Sequence, residues 1–394
     1  MATGQRVYLD YQATTPVDPR VLEAMLPYFT LQYGNAASVQ HEFGRTAAEA
    51  VETARERVAR LVGARAQEIV FTSGATESNN LALKGLATRE EGPRRIVTSP
   101  TEHKSVLDVL ASLRLQGFEI VELPVDSMGR VGLHDLETAL RTPTLVVSIM
   151  AANNEIGTLA PLEEIGRLCR AANSLFHCDA TQWAGKLPLE VATTCIDLLS
   201  MSAHKMYGPK GVGALYVRRE VQSRMKPLLD GGGHERGLRS GTLNVPACVG
   251  MGVACEIAEA SMVADADRLR RLSRLFLGDI EAGIPDVAVN GHPDERIPGN
   301  LNLHFPHVNA EDLMLIVPDV AVSSGSACSA ASPEPSHVLR AIGLSYEQAE
   351  CCVRVGVGRF TSEADVHYAA QRLIEGVALV RGITAGRPTE KVRV

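Results

Sequence analysis

The chain has few cysteines, and their number and spacing exclude several classes of protein. Eight cysteines in 394 residues are too sparse for the disulfide framework that holds small secreted domains together. None forms a C-x-x-C pair, and no H-E-x-x-H motif or Cys/His cluster has the spacing of a metal site. We therefore expect no bound metal and a reduced, cytoplasmic setting.

The sequence also lacks a membrane segment, a secretory signal and an excess of positive charge. No run approaches the roughly 20 apolar residues of a membrane span, and residues 1–10 lack the apolar core of a signal peptide. The formal net charge is -7, which argues against a nucleic-acid-binding surface. With 45% hydrophobic and 22% charged residues, the chain is expected to pack well, with neither membrane nor nucleic acid as partner.

Apolar runs alternate with amphipathic helical patterns between residues 50 and 220. The pattern predicts strands at 68–72, 95–98, 118–123, 144–150, 175–178, 196–201 and 213–217. This alternation indicates an α/β fold with a mainly parallel sheet that is covered by helices on both faces. A charged amphipathic helix at 264–282 and shorter elements after it indicate a second, α+β domain. We place the large domain at residues 15–262 and the small domain at 1–14 and 263–394.

Cys328 lies in a tract of very small residues, SSGSACSAAS at 323–332. Glycine, serine and alanine offer few side chains for packing, so the thiol is expected on a mobile segment. It is either a presented, reactive thiol or an incidental cysteine of a Ser/Gly loop, because exposure and thiolate character decide reactivity.

Polar residues follow several predicted strands, and ligands of open α/β sheets bind at strand carboxyl ends. The segment TSGATES at 72–78 is either a phosphate site at a helix N-terminus or an ordinary capped helix. Asp179 ends an apolar strand, so its carboxylate needs a cationic or N–H partner, unless it is a helix cap. Lys205 follows a strand and could form a Schiff base, with Lys210 as a chemical alternative. His103, between a strand and a helix, is a further candidate or a surface histidine.

An anion site, a strand-end carboxylate and a strand-end lysine together fit pyridoxal 5′-phosphate (PLP). This cofactor needs a phosphate pocket, an acidic partner for its ring nitrogen and a lysine for its aldehyde.

Motifs along residues 7–375 resemble a known family. They include YLDYQATTPVD (8–18), EIVFTSGATESNNLALKG (68–85), TEHKSVL (101–107), NNEIGT (153–158), HCDATQ (177–182), SAHKMYGPKGVGALYV (202–217), ERGLRSGTLNV (235–245) and SSGSACSAASPEPSHVLRAIG (323–343). The sequence looks like a cysteine desulfurase of the class V aminotransferases, in the iron–sulfur-cluster, NifS-like subgroup. The resemblance implies PLP-dependent transferase fold type I with a seven-stranded sheet.

The resemblance also implies roles for the cofactor-binding residues. Lys205 would be the Schiff-base lysine, and Asp179 would pair with the ring nitrogen. Phosphate would be held by the backbone of Ala75 and by Thr76, Ser202 and His204. Thr242 would reach the phosphate of the partner subunit, which implies a homodimer.

The remaining implied roles concern the cofactor ring and the substrate. Gln182 would bind the ring hydroxyl, and His103 would stack on the ring and shuttle protons. Asn154 and Arg354 would hold the substrate carboxylate, which suits the planar guanidinium fork of arginine.

The implied reaction converts L-cysteine to L-alanine. Lys205 would remove the Cα proton, Cys328 would attack the substrate sulfur and become a persulfide, and His103 is the candidate acceptor of the thiol proton. An acceptor protein would then take the sulfur for iron–sulfur assembly, tRNA thiolation or DNA phosphorothioation. The alternatives are a selenocysteine lyase or other fold-type-I PLP enzyme, and a non-catalytic scaffold.

Overall fold

The computed structural model describes residues 5–88, 92–324 and 335–386. The chain divides into two compact units. The large unit contains Thr14–Asn154 and Thr158–Ala264, and the small unit contains Met1–Ala13, Glu155–Gly157 and Asp265–Val394. The short stretch Glu155–Gly157, which the sequence assigned to the large domain, groups with the small unit.

A seven-stranded sheet forms the centre of the large unit. Across the sheet its strands are Ile69–Thr72, Gly213–Val217, Leu198–Ser202, Leu175–Asp179, Val146–Ser148, Arg95–Thr98 and Glu119–Glu122. Only Gly213–Val217 is antiparallel to its neighbours among these strands. The prediction of a mainly parallel sheet in an α/β fold is therefore confirmed.

Neighbouring residues of the central strands face two separate apolar cores, as the pleat of a strand requires. Phe176 belongs to one core, together with apolar residues of the helix Glu42–Leu61. Leu175 belongs to the other core, together with apolar residues of the helix Lys104–Leu115. Helices therefore cover both faces of the sheet, which explains why its strands are continuously apolar.

Four helices of the large unit connect strands of this sheet, namely Ala75–Ala87, Lys104–Leu115, Leu133–Ala139 and Leu162–Ala171. The helices Pro19–Met25, Pro27–Thr30 and Glu42–Leu61 precede the first strand of the sheet, and Arg219–Gln222 follows the last one. Short 3-10 turns lie at Ala66–Glu68, Ala203–Lys205 and Glu235–Gly237.

The helix Val245–Gly283 is much longer than the helix predicted at 264–282. Its first half is apolar and buried in the large unit, so it carries no amphipathic pattern that sequence reading could detect. A Cβ on Gly252 would lie 2.6 Å from Ala54 Cα, so glycine allows this helix close approach to its neighbour. By length and composition alone the helix could cross a membrane, but 56% of its most apolar window is buried, as in a core helix.

The small unit has its own sheets and apolar core. Cys352–Gly356, Asn300–His304 and Ala288–Val289 form an antiparallel sheet, and Val7–Tyr8 pairs in parallel with Val320–Ala321. Its further helices are Ala310–Ile316, His337–Ala341, Tyr346–Glu350 and Glu363–Gly386.

Candidate active site

Strand register brings the polar motifs of the large unit to one edge of the sheet. Asp179 pairs with Ser200, and Ser202 lies two residues further along the same strand. Gly213 pairs with both Ser202 and Thr72, so the strand that precedes the TSGATES segment ends close to Ser202. Since these strand ends lie together, their side chains can serve a single ligand.

An anion-binding arrangement lies where the helix Ala75–Ala87 begins. Its N-cap is Gly74, and no side chain caps the helix there. Gly74 has a φ of 151°, which favours glycine, and a Cβ on it would lie 3.8 Å from Ser202 Oγ. A Cβ on Gly213 would lie 2.7 Å from Gly74 Cα. The uncapped N–H groups of Ala75 and the exposed Thr76 thus lie beside a serine hydroxyl, which suits a phosphate.

Glu77, in the first turn of this helix, is bound by Ser73 and Arg239. Its carboxylate accepts from Ser73 N at 2.7 Å and pairs with Arg239 at 2.9 Å. Burial alone would raise the pKa of Glu77, but these hydrogen bonds lower it below its usual value. The arginine therefore balances an anionic residue near the helix N-terminus.

Asp179 is buried and held by neutral donors. Its Oδ2 accepts from Asn79 Nδ2 at 2.8 Å, and its Oδ1 accepts from Thr181 N at 3.0 Å. Neither donor carries a charge, so the carboxylate keeps its negative charge for a cationic partner.

His103 is the N-cap of the helix Lys104–Leu115. Its Nδ1 accepts from Ser105 N at 3.1 Å and lies 2.8 Å from Ser105 Oγ. The half-buried imidazole is thereby fixed at the start of the helix.

Lys205 ends the 3-10 turn Ala203–Lys205, directly after the strand that contains Ser202. It is half-buried, whereas Lys210 is exposed. Burial, followed by the positive charge of Lys205, lowers the pKa of His204 to about 4, so this ring is neutral near pH 7. His204 Nδ1 lies 3.1 Å from Thr14 Oγ1.

The other predicted cofactor contacts are spread over the large unit. Gln182 is buried, and its Oε1 accepts from Lys186 Nζ at 2.9 Å. Asn154 is half-buried, and Thr242 is exposed between the turn Glu235–Gly237 and the next helix.

Arg354 belongs to the small unit, in the strand Cys352–Gly356. It is buried and pairs with Asp10 at 2.8 Å. Burial, followed by the charge of Asp10, raises the pKa of Tyr8 to about 12, and the Tyr8 hydroxyl donates to the Asp10 carbonyl at 3.0 Å. From the sequence alone, an arginine inside an apolar strand is expected to be a surface charge on an edge strand. Only the family resemblance indicated a functional role for Arg354.

Sequence reasoning missed several polar residues around this edge. Asn79 contacts Asp179, and Ser105 contacts His103. Of these two supporting residues, only Ser105 had a signal in the sequence, because it lies two residues after a histidine between a strand and a helix, as is typical of a helix cap. Glu102 is buried, its Oε1 accepts from Met150 N at 2.6 Å, and burial raises its pKa well above the usual range.

His177 is another residue that sequence reasoning left without a role. It lies buried between Ser148 Oγ at 2.8 Å and Ser200 Oγ at 3.1 Å. Burial lowers the pKa of His177 to about 4, against the opposing charge of Asp179. Both hydroxyl contacts come from adjacent strands, which no local pattern in the sequence reveals.

The structure thus brings some of the predicted site residues together. Ser202 is close to the helix start at Ala75, and Asp179 is linked to His103 through Asn79 and Ser105. Cys328 lies outside the described residues. Among the described residues, no group of three or more His, Cys, Asp or Glu side chains could hold a metal ion.

Comparison with known proteins relates the whole chain to one family. Class-V aminotransferases match residues 7–368. A cysteine desulfurase IscS of Anaeromyxobacter sp. (strain Fw109-5) is 56% identical over 376 residues, covering 95% of this chain and 93% of that protein. A solved NifS-like protein has a TM-score of 0.89 at 38% identity, covering 95% of this chain and 100% of that one. The structure of SspA in complex with cysteine has a TM-score of 0.79 at 38% identity, covering 90% and 100%.

The mainly parallel sheet with its polar strand ends is thus the fold of the class-V aminotransferases, and the chain belongs to this family. Within the family its relatives are cysteine desulfurases and NifS-like proteins. The resemblance drawn from the motifs and the predicted fold type I are both confirmed.

Proposed function

We propose that this protein is a PLP-dependent cysteine desulfurase, which converts L-cysteine to L-alanine and takes the sulfur onto Cys328 as a persulfide. The observation that carries the proposal is the sheet edge of the large unit. At this edge, the ends of three strands of one sheet provide the uncapped helix N-terminus at Ala75, the buried carboxylate of Asp179 and the amine of Lys205. The desulfurase relatives and the neighbour solved with cysteine support the substrate.

The residues of this edge fit PLP. Phosphate would be held by the N–H groups at Ala75 and Thr76 and by Ser202 and the neutral His204. When bound, PLP withdraws electrons from the amino acid that is attached to it.

The cofactor ring would be oriented by residues of two further strand ends. Asp179 would pair with the protonated ring nitrogen, because its neutral partners Asn79 and Thr181 leave its charge unbalanced. Gln182 would bind the ring hydroxyl. Lys205 would carry the cofactor and then take the Cα proton of the substrate, a role that suits a half-buried lysine.

Asn154 and Arg354 would bind the substrate carboxylate. Arg354 presents a planar guanidinium that can bind a carboxylate through two parallel hydrogen bonds. The family resemblance supplies these two roles, and an ion pair with Asp10 helps to hold Arg354 in place.

Cys328 would receive the sulfur through attack of its thiolate on the substrate sulfur, as the carbon–sulfur bond breaks. This assignment rests on the SSGSAC motif and the family. The buried cysteines of the described chain are poor candidates, because burial raises the pKa of Cys169 and of Cys255 to about 12.

The remaining inferences concern partners, domains and location. We infer a homodimer in which Thr242 reaches the partner's phosphate, a small domain that carries Cys328, and a cytoplasmic enzyme. A second protein would accept the persulfide sulfur, in iron–sulfur assembly, tRNA thiolation or DNA phosphorothioation.

Cys328→Ser tests the proposed function, with Cys195→Ser as the matched control because Cys195 is a half-buried thiol of the described chain. After a single exposure to L-cysteine, alkylation and mass spectrometry would locate the persulfide. We expect it on Cys328 in the parent and in Cys195→Ser. The Cys328→Ser protein should bind PLP and carry no persulfide. A parental rate of alanine formation by Cys328→Ser with a thiol reductant would overturn the nucleophile assignment.

The same variants separate the alternatives. A selenocysteine lyase or another fold-type-I enzyme does not require Cys328, so its turnover would survive the substitution. A non-catalytic scaffold would form no alanine and show no PLP absorbance, and its binding of partners would be unchanged in Lys205→Ala.

A further inference from the structure

A chain of hydrogen bonds runs from Asp179 to His103 inside the large unit. Asn79 Nδ2 lies 2.8 Å from Asp179 Oδ2 and 2.9 Å from Ser105 Oγ. Ser105 Oγ lies 2.8 Å from His103 Nδ1. The two groups, both expected to contact the cofactor ring, are therefore joined by two residues that have no assigned role.

The direction of the first two bonds follows from the chemistry of the side chains. Asp179 can only accept, so Asn79 must turn its NH₂ group, and not its carbonyl oxygen, toward the carboxylate. The same nitrogen has a second hydrogen, which points to Ser105 Oγ. Asn79 thus donates in both directions, and the Ser105 oxygen accepts.

The proton positions at His103 follow from two donors on one ring nitrogen. His103 Nδ1 is an acceptor because the backbone N–H of Ser105 points at it, so the Ser105 hydroxyl hydrogen is the one that lies between Oγ and Nδ1. The Ser105 backbone N–H also donates to Nδ1, at 3.1 Å. A nitrogen that accepts two hydrogen bonds carries no proton, so a neutral ring has its proton on Nε2.

The position of His103 in the fold also disfavours a cationic ring. His103 caps the helix Lys104–Leu115, whose N-terminus is the positive end of its dipole. The next residue, Lys104, is positively charged. An imidazolium would also have to place a proton on Nδ1, against both donors from Ser105.

We propose that Asn79 and Ser105 are positioning residues that hold His103 as the neutral tautomer with its proton on Nε2. His103 then gives a hydrogen bond from Nε2 to the bound cofactor or amino acid, and does not take the thiol proton. A neutral imidazole at a helix N-terminus is suited to polarise a reacting group in this way. This inference rests on the proposed function for the identity of the ligand, but the tautomer itself is a property of the chain.

The test is nitrogen NMR of protein labelled with ¹⁵N-histidine, recorded with and without PLP. His103→Gln assigns the His103 ring signals. We expect the upfield, protonated nitrogen to couple to both carbon-bound ring protons, which is the pattern of a proton on Nε2. A downfield nitrogen that couples to both ring protons places the proton on Nδ1, and two upfield nitrogens indicate a cation; either result overturns the proposal.

Ser105→Ala tests the positioning role, and Ser105→Thr is the control that restores the hydroxyl. Loss of one hydrogen bond to Nδ1 should move the Nδ1 resonance further downfield and lower kcat about 3- to 10-fold. Ser105→Thr should recover both values. A Ser105→Ala protein with the parental Nδ1 resonance would show that the hydroxyl does not position His103.

The two proposals fail in different ways. If no persulfide forms in the parent protein, the proposed function is wrong, whereas the tautomer measured without PLP is unaffected. If the parent forms the persulfide but His103 carries its proton on Nδ1, only the present inference is wrong.

Discussion

The two units each bury a charged side chain that a ligand is expected to use, and they hold it in different ways. In the large unit, Asp179 is held by two neutral donors, the Asn79 amide and the Thr181 N–H. In the small unit, Arg354 is held by the opposite charge of Asp10, at 2.8 Å. The first arrangement keeps its net charge, whereas the second is neutralised before any ligand arrives.

The difference shows what each site is built to do. A buried charge that is held by dipoles attracts a cationic partner strongly, because little water screens it. A buried arginine that is paired with a carboxylate is stable without a ligand, and a substrate carboxylate adds a second anion to it. Removal of charge should therefore affect chemistry most at Asp179 and stability most at Asp10.

The largest effect is expected from Asp179→Asn, which keeps the shape of the side chain and removes its charge. Loss of this electrostatic partner should lower kcat/KM for alanine formation by about 100-fold or more. Asp197→Asn is the control, because Asp197 is also a buried carboxylate of the large unit but pairs with Arg218. If kcat/KM of the Asp179→Asn enzyme stayed within a few-fold of the parent value, the proposed contrast between the unpaired charge of Asp179 and the paired charge of Arg354 would be wrong.

Asp10→Asn should act mainly on stability. It removes the negative charge of Asp10 beside the buried Arg354, which typically costs about 3 kcal/mol, and KM for cysteine should rise because the guanidinium loses its ion pair with Asp10. Urea unfolding and steady-state kinetics measure the two effects.

Asp319→Asn is the matched control for Asp10→Asn in the small unit. Asp319 pairs with the more exposed Arg372 at 2.9 Å, and such pairs contribute about 1 kcal/mol or less. If Asp10→Asn and Asp319→Asn lost equal amounts of stability, the claim that burial makes the Asp10–Arg354 pair more costly to break would be wrong.

The last effect appears only on acidification and concerns the stability of the large unit. Folding lowers the pKa of His177 to about 4 through burial, while an unfolded histidine titrates near pH 6.5. The unfolded chain therefore binds the proton first, and stability is lost as pH falls from about 6.5 toward 4, by up to about 3 kcal/mol. His177→Gln should be less stable at pH 7.5 but should lose less stability on acidification. A parental slope between pH 6.5 and 4 in this variant would rule out His177 as a source of the acid sensitivity.

Much of the fold was predictable because strand and helix patterns repeat along the large unit. The apolar strands before Ser73, Asp179 and Lys205 were recognised, and their parallel order places these motifs at one edge. The first half of the helix Val245–Gly283 was missed because its apolar residues are not confined to one face, so it shows no amphipathic period.

The polar support of the site was not predictable, because its contacts join distant parts of the chain. Asn79 reaches Asp179 across 100 positions of sequence, and Asp10 reaches Arg354 across 344. Sequence patterns record local spacing, so such pairs become visible only in the folded chain.

The most direct measurement is the site of covalent PLP attachment. The PLP-loaded protein would be reduced with borohydride and digested, and its peptides analysed by mass spectrometry. We expect the phosphopyridoxyl group on Lys205, with Lys210→Ala labelled like the parent and Lys205→Ala unlabelled. A label on Lys210, or no label on a protein that still turns over cysteine, would contradict the placement of the cofactor at this sheet edge.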